Sequence, residues 1–336
     1  MNIEDEAQLL SYLRRQRLID QFETPSVKIL VGGVSNKTVL VNRRQSPNLV
    51  IKQALEKLRV TADWFSDPAR IHREAEGIRI LQQVAPAGMI PGFVFEDEAH
   101  HVLGMEAIPM PHSNWKQDLL HGDIDTNVVS QFATCLGQIH RCFDVTTYPE
   151  GGILEGLDFF ESLRLEPYYL FTARQIPAAK QFLDQLVIDT RGIRHALVHG
   201  DYSPKNVLVR KGRMILLDHE VIHLGDPAFD VGFSMTHLLS KAHHMKDHRP
   251  AFIDAANAYW QTYFKEIQPV PWLDQFEVRA VRHTLGCLLA RVAGRSPLEY
   301  LSDEEKAHQS QTVQDLMIAP PMTMKALIKA FNTRLS

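Results

Sequence analysis

The stretch HALVHGDYSPKNVLVRKGRMILLDHE, residues 195–220, decides how this chain reads. An apolar triplet at 196–198 runs into a polar loop stiffened by Pro204. Two further apolar runs, VLV at 207–209 and MILL at 214–217, are joined by Arg210, Lys211 and Gly212 and read as a short hairpin. Asp201 stands at the end of the first run and Asn206 opens the hairpin. Asp218 follows Asn206 by twelve residues, with Glu220 two further on. Hairpin pairing brings Asn206 and Asp218 to the same mouth. One amide oxygen and one or two carboxylates meeting there suit a hard cation such as Mg²⁺, which takes oxygen ligands and keeps phosphate oxygens among them. A separate carboxylate, Asp201, can accept the proton of an attacking hydroxyl. Together these residues form a constellation suited to phosphoryl transfer. His199, two residues before Asp201, is expected to point away from the reacting groups and to order the loop.

Upstream, apolar spacing predicts a helix over 4–18. Two β-rich runs, VKILV (27–31) and KTVLV (37–41), then flank GGVSN (32–36), and NLVIKQA (48–54) supplies a third strand. A helix follows over 68–84, with Ile71, Ala75, Ile78 and Leu81 on one face. GFVFED (92–97) and HVLGMEAI (101–108) read as two more strands. Beyond Pro109 and Pro111 the pattern turns helical, over 127–143, 159–171, 178–190, 231–246, 251–264 and 276–293. The expected class is α+β in two lobes. Residues 1–105 form a small mixed-sheet, nucleotide-binding lobe, and 106–336 a larger, mainly helical lobe for catalysis and substrate.

The first lobe carries what a nucleotide needs. Gly32 and Gly33 let backbone approach phosphate, and Ser35 and Asn36 add donors; a glycine pair in a hairpin is otherwise only a turn. Lys52, one strand later, can direct an ammonium at phosphates, and Glu74 on the next helix can hold that ammonium. Glu76 is the rival to Glu74, but Glu74 follows Ile71 by three residues and lies nearer the apolar stripe.

Composition narrows the partners. The chain has 336 residues, 45% hydrophobic, and its 36 Lys and Arg against 40 Asp and Glu give a net charge of -4, which argues against nucleic acid as the main partner. No apolar run reaches the roughly 18 residues a membrane helix needs, and the N-terminus starts acidic, unlike a signal peptide. Three cysteines without metal spacing fit a reducing cytoplasm. Oligomeric state is not legible. A second His-Gly-Asp, at His121 to Asp123, has no preceding strand and no acid-bearing hairpin after it; Asp123, Asp125 and Thr126 read as caps of the following helix. His237, His243, His244 and His248 make no matched ligand set and are expected on a solvated, partly capping face.

HGDYSPKN followed by LLDHE resembles the catalytic signature of the aminoglycoside phosphotransferase and choline kinase superfamily, which has a protein-kinase-like fold. Within it the chain most resembles the methylthioribose kinases, through the Asp-x-Glu of Asp218 and Glu220 and the run Lys52 to Leu55. It departs from them in two places. Their catalytic loop runs Leu-His-Thr-Gly-Ser after His-Gly-Asp, where this chain has Tyr202 to Asn206, and Arg282 with His283 stands where they carry an Arg-Arg pair. The resemblance implies ATP and Mg²⁺ as cofactors, Asp201 as the base, and Asn206, Asp218 and Glu220 around the metal. It also implies adenine recognition by the linker from Met105 to Pro109, through Met105 and Ala107. Asp230 is matched to a structural aspartate that receives hydrogen bonds from the catalytic loop, and it is also expected to cap a helix; Asp226 reads as a turn residue.

The expected acceptor is a small hydroxylated metabolite, such as the sugar methylthioribose, facing Tyr202, Trp115, Trp64, Arg282 and His283. Rivals are an aminoglycoside or amino-alcohol kinase and a catalytically idle nucleotide-binding member of the fold. A protein kinase is disfavoured, since His and Glu replace Phe-Gly after Asp218 and only twelve residues separate Glu220 from Gly232.

Overall fold

A computed structural model describes residues 1–30, 35–59 and 65–335. The expectations for Gly32, Gly33 and Trp64 fall outside the described residues. Five strands form an antiparallel sheet in the order β1-β2-β3-β5-β4: β1 (Ser26–Ile29), β2 (Asn36–Asn42), β3 (Leu49–Ala54), β4 (Phe93–Asp97) and β5 (Val102–Glu106). Alternation puts Val39, Val41 and Ile51 on one buried face. There they meet Leu9, Tyr12 and Leu13 of α1 (Glu6–Arg15) in a compact cluster. The Tyr12 hydroxyl donates to Asp97 at 2.7 Å and ties the helix to β4. The second helix, α2 (Arg70–Val84), contributes Ile71, Ala75, Ile78 and Leu81 to the other, larger core, as its stripe predicts.

The rest of the chain is mainly helical and builds the second lobe. Ser113–Asn114 (β6) pairs with Val207–Arg210 (β8), which forms the expected hairpin with Arg213–Leu216 (β9); Ala196–Val198 (β7) pairs with His223–Gly225 (β10). Around these lie α3 (Trp115–Leu120), α4 (Thr126–Cys142), α5 (Lys180–Arg191), α6 (Ala228–His244), α7 (Arg249–Glu266), α8 (Phe276–Ala293), α9 (Asp303–Ile318) and α10 (Met324–Leu335). The architecture is the two-lobed α+β, kinase-like fold.

Three departures from the sequence reading have physical causes. The helix expected over 159–171 is wound as a π-helix from Glu161 to Leu170, with Pro167, which has no amide to donate, inside it. The helices α9 and α10 extend the bundle beyond the regions read as helical. In α9 the buried apolar positions Val313, Leu316 and Met317 fall only in the second half, so periodicity is weak, although Ser302 and Glu305 form a capping box that marks its start. Lastly, α6 is buried along nearly its whole length and enclosed by its neighbours, which corrects the expectation of a solvated face for His237 and His243; His244 is half-buried and His248, beyond the helix end, is exposed.

Candidate active site

One lysine bridges the lobes at the centre of the cleft. Lys52, on the middle strand of the sheet, lies 2.6 Å from Glu74 of α2 and 2.9 Å from Asp218 of the second lobe. Glu76 instead pairs with Arg79. Burial works against the Lys52 ammonium, but Asp218 and Glu74 outweigh it and hold it charged, above its ordinary value. Burial, with the nearby charges of Asp218 and Glu220, raises the Glu74 carboxyl to about 7 against the pull of Lys52. For Asp218, burial is outweighed by Lys52 and Lys205, and its carboxyl stays well below the usual range. Gly77, about a turn beyond Glu74, lets α2 lie close to the segment after Asp218: a Cβ there would sit 2.8 Å from Ile222 Cγ2 and 3.3 Å from His219 Cβ.

A second bridge joins the lobes through Glu220. Its Oε2 accepts from Asn36 Nδ2 at 3.1 Å and from Arg70 Nε at 3.2 Å. Arg70 is fully buried and also donates to the carbonyls of Ser35, Leu55, Ser66 and Asp67. One guanidinium therefore ties the chain flanking residues 31–34 to the acid two residues after Asp218. Ser35 is part of this knot, its carbonyl held by Leu55 N–H and Arg70 and its hydroxyl accepting from Asn36 at 3.2 Å.

The catalytic-type loop is fixed from below by Asp230. Its carboxylate accepts the amides of His199 at 2.6 Å and Gly200 at 2.8 Å, and faces His140 Nε2 at 3.2 Å. Burial opposes its charge, yet His140 and His199 keep the carboxyl low. Asp230 sits in the first turn of α6, whose helix starts at Ala228, so the capping half of its expected role is corrected while the loop contacts are present. Asp226 makes the turn, accepting from Ala228 N–H at 3.1 Å, and pairs with Arg279 at 2.9 Å. His199 turns away from the cleft; its Nδ1 meets Asp201 N–H at 3.2 Å and its Nε2 lies 3.1 Å from His219.

Two side chains hold the Asp201 carboxylate. Asn206 Nδ2 donates to Oδ2 at 2.7 Å, and Arg164 Nη2 lies 3.0 Å from Oδ1. Arg164, carried by the π-helix, also donates to the Gly200 carbonyl at 2.7 Å. It was invisible to motif reading. Its signal was a lone charge among Leu163 and Leu165, since a buried charge needs a partner. Asn36, Arg70 and Arg164 all make bonds to partners far away in sequence.

Hard-metal chemistry fits these donors. Asn206 spends its amide nitrogen on Asp201, which leaves its oxygen as an acceptor, and Asp218 is ionised. Glu220 has one oxygen engaged by Arg70 and Asn36, so it can offer only the other. Among the described residues no group of three or more His, Cys, Asp or Glu side chains is arranged to hold a metal. A divalent ion here would rest on one or two carboxylates and an amide, as Mg²⁺ does when phosphates complete its shell.

The linker and the expected acceptor residues behave differently. Met105 is buried in β5 opposite Val50, and the Ala107 amide already donates to the Asn48 carbonyl at 2.8 Å, so Ala107 has no free N–H for a base. Tyr202 is fully buried, stacked on Phe132 at 4.2 Å with its hydroxyl on the Phe132 carbonyl; it belongs to the core and not to a substrate face. Trp115 packs edge-on against the same ring at 4.8 Å and is likewise core. His283 is enclosed by Tyr169, Thr190 and Asp226, and burial takes its imidazole down to about 4. Arg282 stacks on Phe182 and lines a cleft of about 560 Å³ between α5, α8 and α9, bordered by Gln185 and Asp315 and containing none of the groups around Asp201. All four acceptor expectations are corrected. Tyr202 and Trp115 are drawn inward by their apolar area, whereas Arg282 opens onto a separate cleft.

Residues 26–270 match the profile of the phosphotransferase enzyme family. Methylthioribose kinase 1 of Oryza sativa subsp. japonica is 23% identical over 269 residues, and the match spans 70% of this chain and 62% of that protein's length. Among solved structures, an amicoumacin kinase in complex with AMP-PNP, Ca²⁺ and Ami superposes with a TM-score of 0.60 at 16% identity, covering 95% of each chain. A choline kinase from Cryptosporidium parvum Iowa II gives 0.57 at 11% identity, covering 97% of this chain and 100% of its own. An ADP-bound aminoglycoside phosphotransferase gives 0.52 at 15% identity, covering 98% and 97%. Among the described residues no helix is long and apolar enough to cross a membrane.

Proposed function

The chain belongs to the phosphotransferase enzyme family, and on that premise we propose that it transfers the γ-phosphoryl group of ATP to a hydroxyl of a small metabolite, with Mg²⁺ as the metal. The observation that carries this reading is Lys52, shared at 2.6 and 2.9 Å between Glu74 and Asp218 across the cleft. Glu74 fixes the ammonium so that it faces phosphate oxygens as a preset charge. Asp218, Asn206 and one oxygen of Glu220 would hold Mg²⁺, which when bound screens the charge of the phosphates. Asp201 receives the acceptor's hydroxyl proton, its carboxylate aimed by Asn206 on one side and Arg164 on the other. Asp230 keeps the loop that carries Asp201 in place through two amides. The name of the rice relative puts methylthioribose among the acceptors to be tried.

The test is ADP formation by the purified chain with ATP, Mg²⁺ and a panel of free sugars, amino alcohols and hydroxy acids, beside thermal denaturation with and without MgATP. Acceptor-dependent ADP release that Asp218→Asn abolishes, together with MgATP stabilisation lost in that variant, is the expected result. A parent protein that MgATP does not stabilise and that turns over no acceptor would overturn the phosphotransfer reading.

A further inference from the structure

On the side of Asp201 away from Asn206, basic groups follow one another outward from the reacting position. Arg164, 3.0 Å from Asp201, has its guanidinium 5.8 Å from the rings of both Tyr168 and Phe233. The Tyr168 hydroxyl accepts from Arg291 at 3.0 Å. Phe233 continues to His237 at 5.3 Å between rings, and the His237 carbonyl is 3.4 Å from the Lys241 ammonium. The charges of Lys116, Arg291 and Lys205 all act on His237. Against these cations stand Asp201, with Asp218 and Glu220 also acting on Arg164, and Glu299, which is already paired with Lys116.

Lys241 shows that the wall lacks negative charge. It is fully buried, lies 5.2 Å from the Tyr300 ring, and forms no ion pair among the described residues. A buried ammonium without a carboxylate is costly, and its neighbours are cations. Burial together with Lys116 and Arg291 takes it down to about 7. Beside it, Arg291 Nε and the Tyr300 hydroxyl are buried polar groups with no hydrogen-bond partner. Arg291 also donates to the Ser296 carbonyl and hydroxyl, so the unsatisfied donors are its Nε and the Tyr300 hydroxyl, and phosphoryl chemistry at Asp201 uses neither.

We propose that the acceptor is an anion: a small hydroxyl compound carrying a carboxylate or a phosphate, whose charged group docks among Arg164, Arg291 and Lys116, with the enclosed Lys241 adding positive charge behind them, while its hydroxyl faces Asp201. This rests on the phosphotransfer reading and narrows it. A polycationic acceptor would meet like charge along this wall, which disfavours aminoglycosides and choline-type alcohols for this chain. A neutral sugar would leave the buried donors as they are.

The experiment measures kcat/KM with saturating MgATP for a neutral pentose, its aldonate, its 5-phosphate and a cationic amino sugar. At least one anion should exceed the neutral sugar by about tenfold or more, with the amino sugar lowest, and the aldonate and 5-phosphate arms separate carboxylate from phosphate. Arg291→Gln should raise KM for the preferred anion about tenfold with kcat little altered, and Arg291→Lys should recover part of it. The preferred anion's KM should also climb with ionic strength. Faster turnover of the neutral or cationic member overturns the anionic assignment and leaves phosphotransfer standing. Where no acceptor turns over, thermal denaturation with MgAMP-PNP decides: no added stabilisation by either anion at about 10 mM overturns the assignment, and no stabilisation by the nucleotide itself removes the phosphotransfer reading beneath it.

Discussion

The chain contains His-Gly-Asp twice, and the two copies share a backbone feature: Gly200 has φ +77 and Gly122 φ +82. Everything else differs. At 199–201 the first two amides are held by a buried carboxylate about thirty residues downstream, and the aspartate is clasped by Asn206 and Arg164. At 121–123 the amides bond back into α3, to the carbonyls of Gln117, Leu119 and Asp118, and His121 and Asp123 are exposed. The tripeptide specifies a left-handed turn; distant partners decide whether its aspartate is held in place or merely solvated. Reactive geometry is therefore a property of the tertiary structure around the motif.

Substitution tests that contrast sharply. Asp201→Ala should lower kcat by about 10² to 10⁴ with MgATP affinity largely kept, whereas Asp123→Ala should stay within about twofold of the parent. Steady-state kinetics on both variants decides, and equal losses would erase the distinction between the copies. Asp230→Ala should come next. It leaves two buried amides and His140 without their acceptor, at a cost of roughly 3 to 5 kcal/mol by urea denaturation. An unchanged midpoint would mean that the loop is held by something else.

Acid should undermine the first copy more than the second. His223, in register with Val198 just ahead of the first tripeptide, and His283 are both buried with imidazoles taken down to about 4, chiefly by burial. They are neutral in the fold but ordinary in the unfolded chain, so between pH 6.5 and about 4 the unfolded state binds more protons. Stability is then full above that window, declines as pH drops through it by about 1.4 kcal/mol per unit and imidazole, and levels off below. Melting curves from pH 7 to 4.5 should show the decline, and His223→Gln should make it shallower while the His283 share remains; a melting temperature indifferent to pH contradicts it. The smallest effect belongs to the second copy's neighbourhood. Asp125 caps α4 by accepting from Asn127 N–H at 2.8 Å, and Asp125→Ala should cost about 1 kcal/mol with no change in transfer rate. A loss of activity there would assign that loop a function it is denied here.

What could be read in advance follows the same division. The hairpin from Val207 to Leu216, the strand bearing Lys52 and the helix bearing Glu74 announce themselves through period and spacing, which act over a few residues. Arg164, Arg70 and Asn36 do not, because each is defined by a bond across 36 to 184 positions of sequence. Tyr202 was misread although a local rule bore on it: neighbours in an extended loop face opposite ways, so an Asp201 turned to the cleft sends Tyr202 to the core. The histidines of α6 were misjudged because polarity was read without the enclosing helices, which lie elsewhere in the chain.

The absent side chain at Gly77 works as a spacer of zero thickness. It sets the clearance between the helix bearing Glu74 and the segment after Asp218, and with it the gap that one lysine has to span. With only 2.8 Å available to a Cβ before Ile222, a single methyl would wedge the two apart. Lys52, now held in common by two acids, would then have to choose one of them.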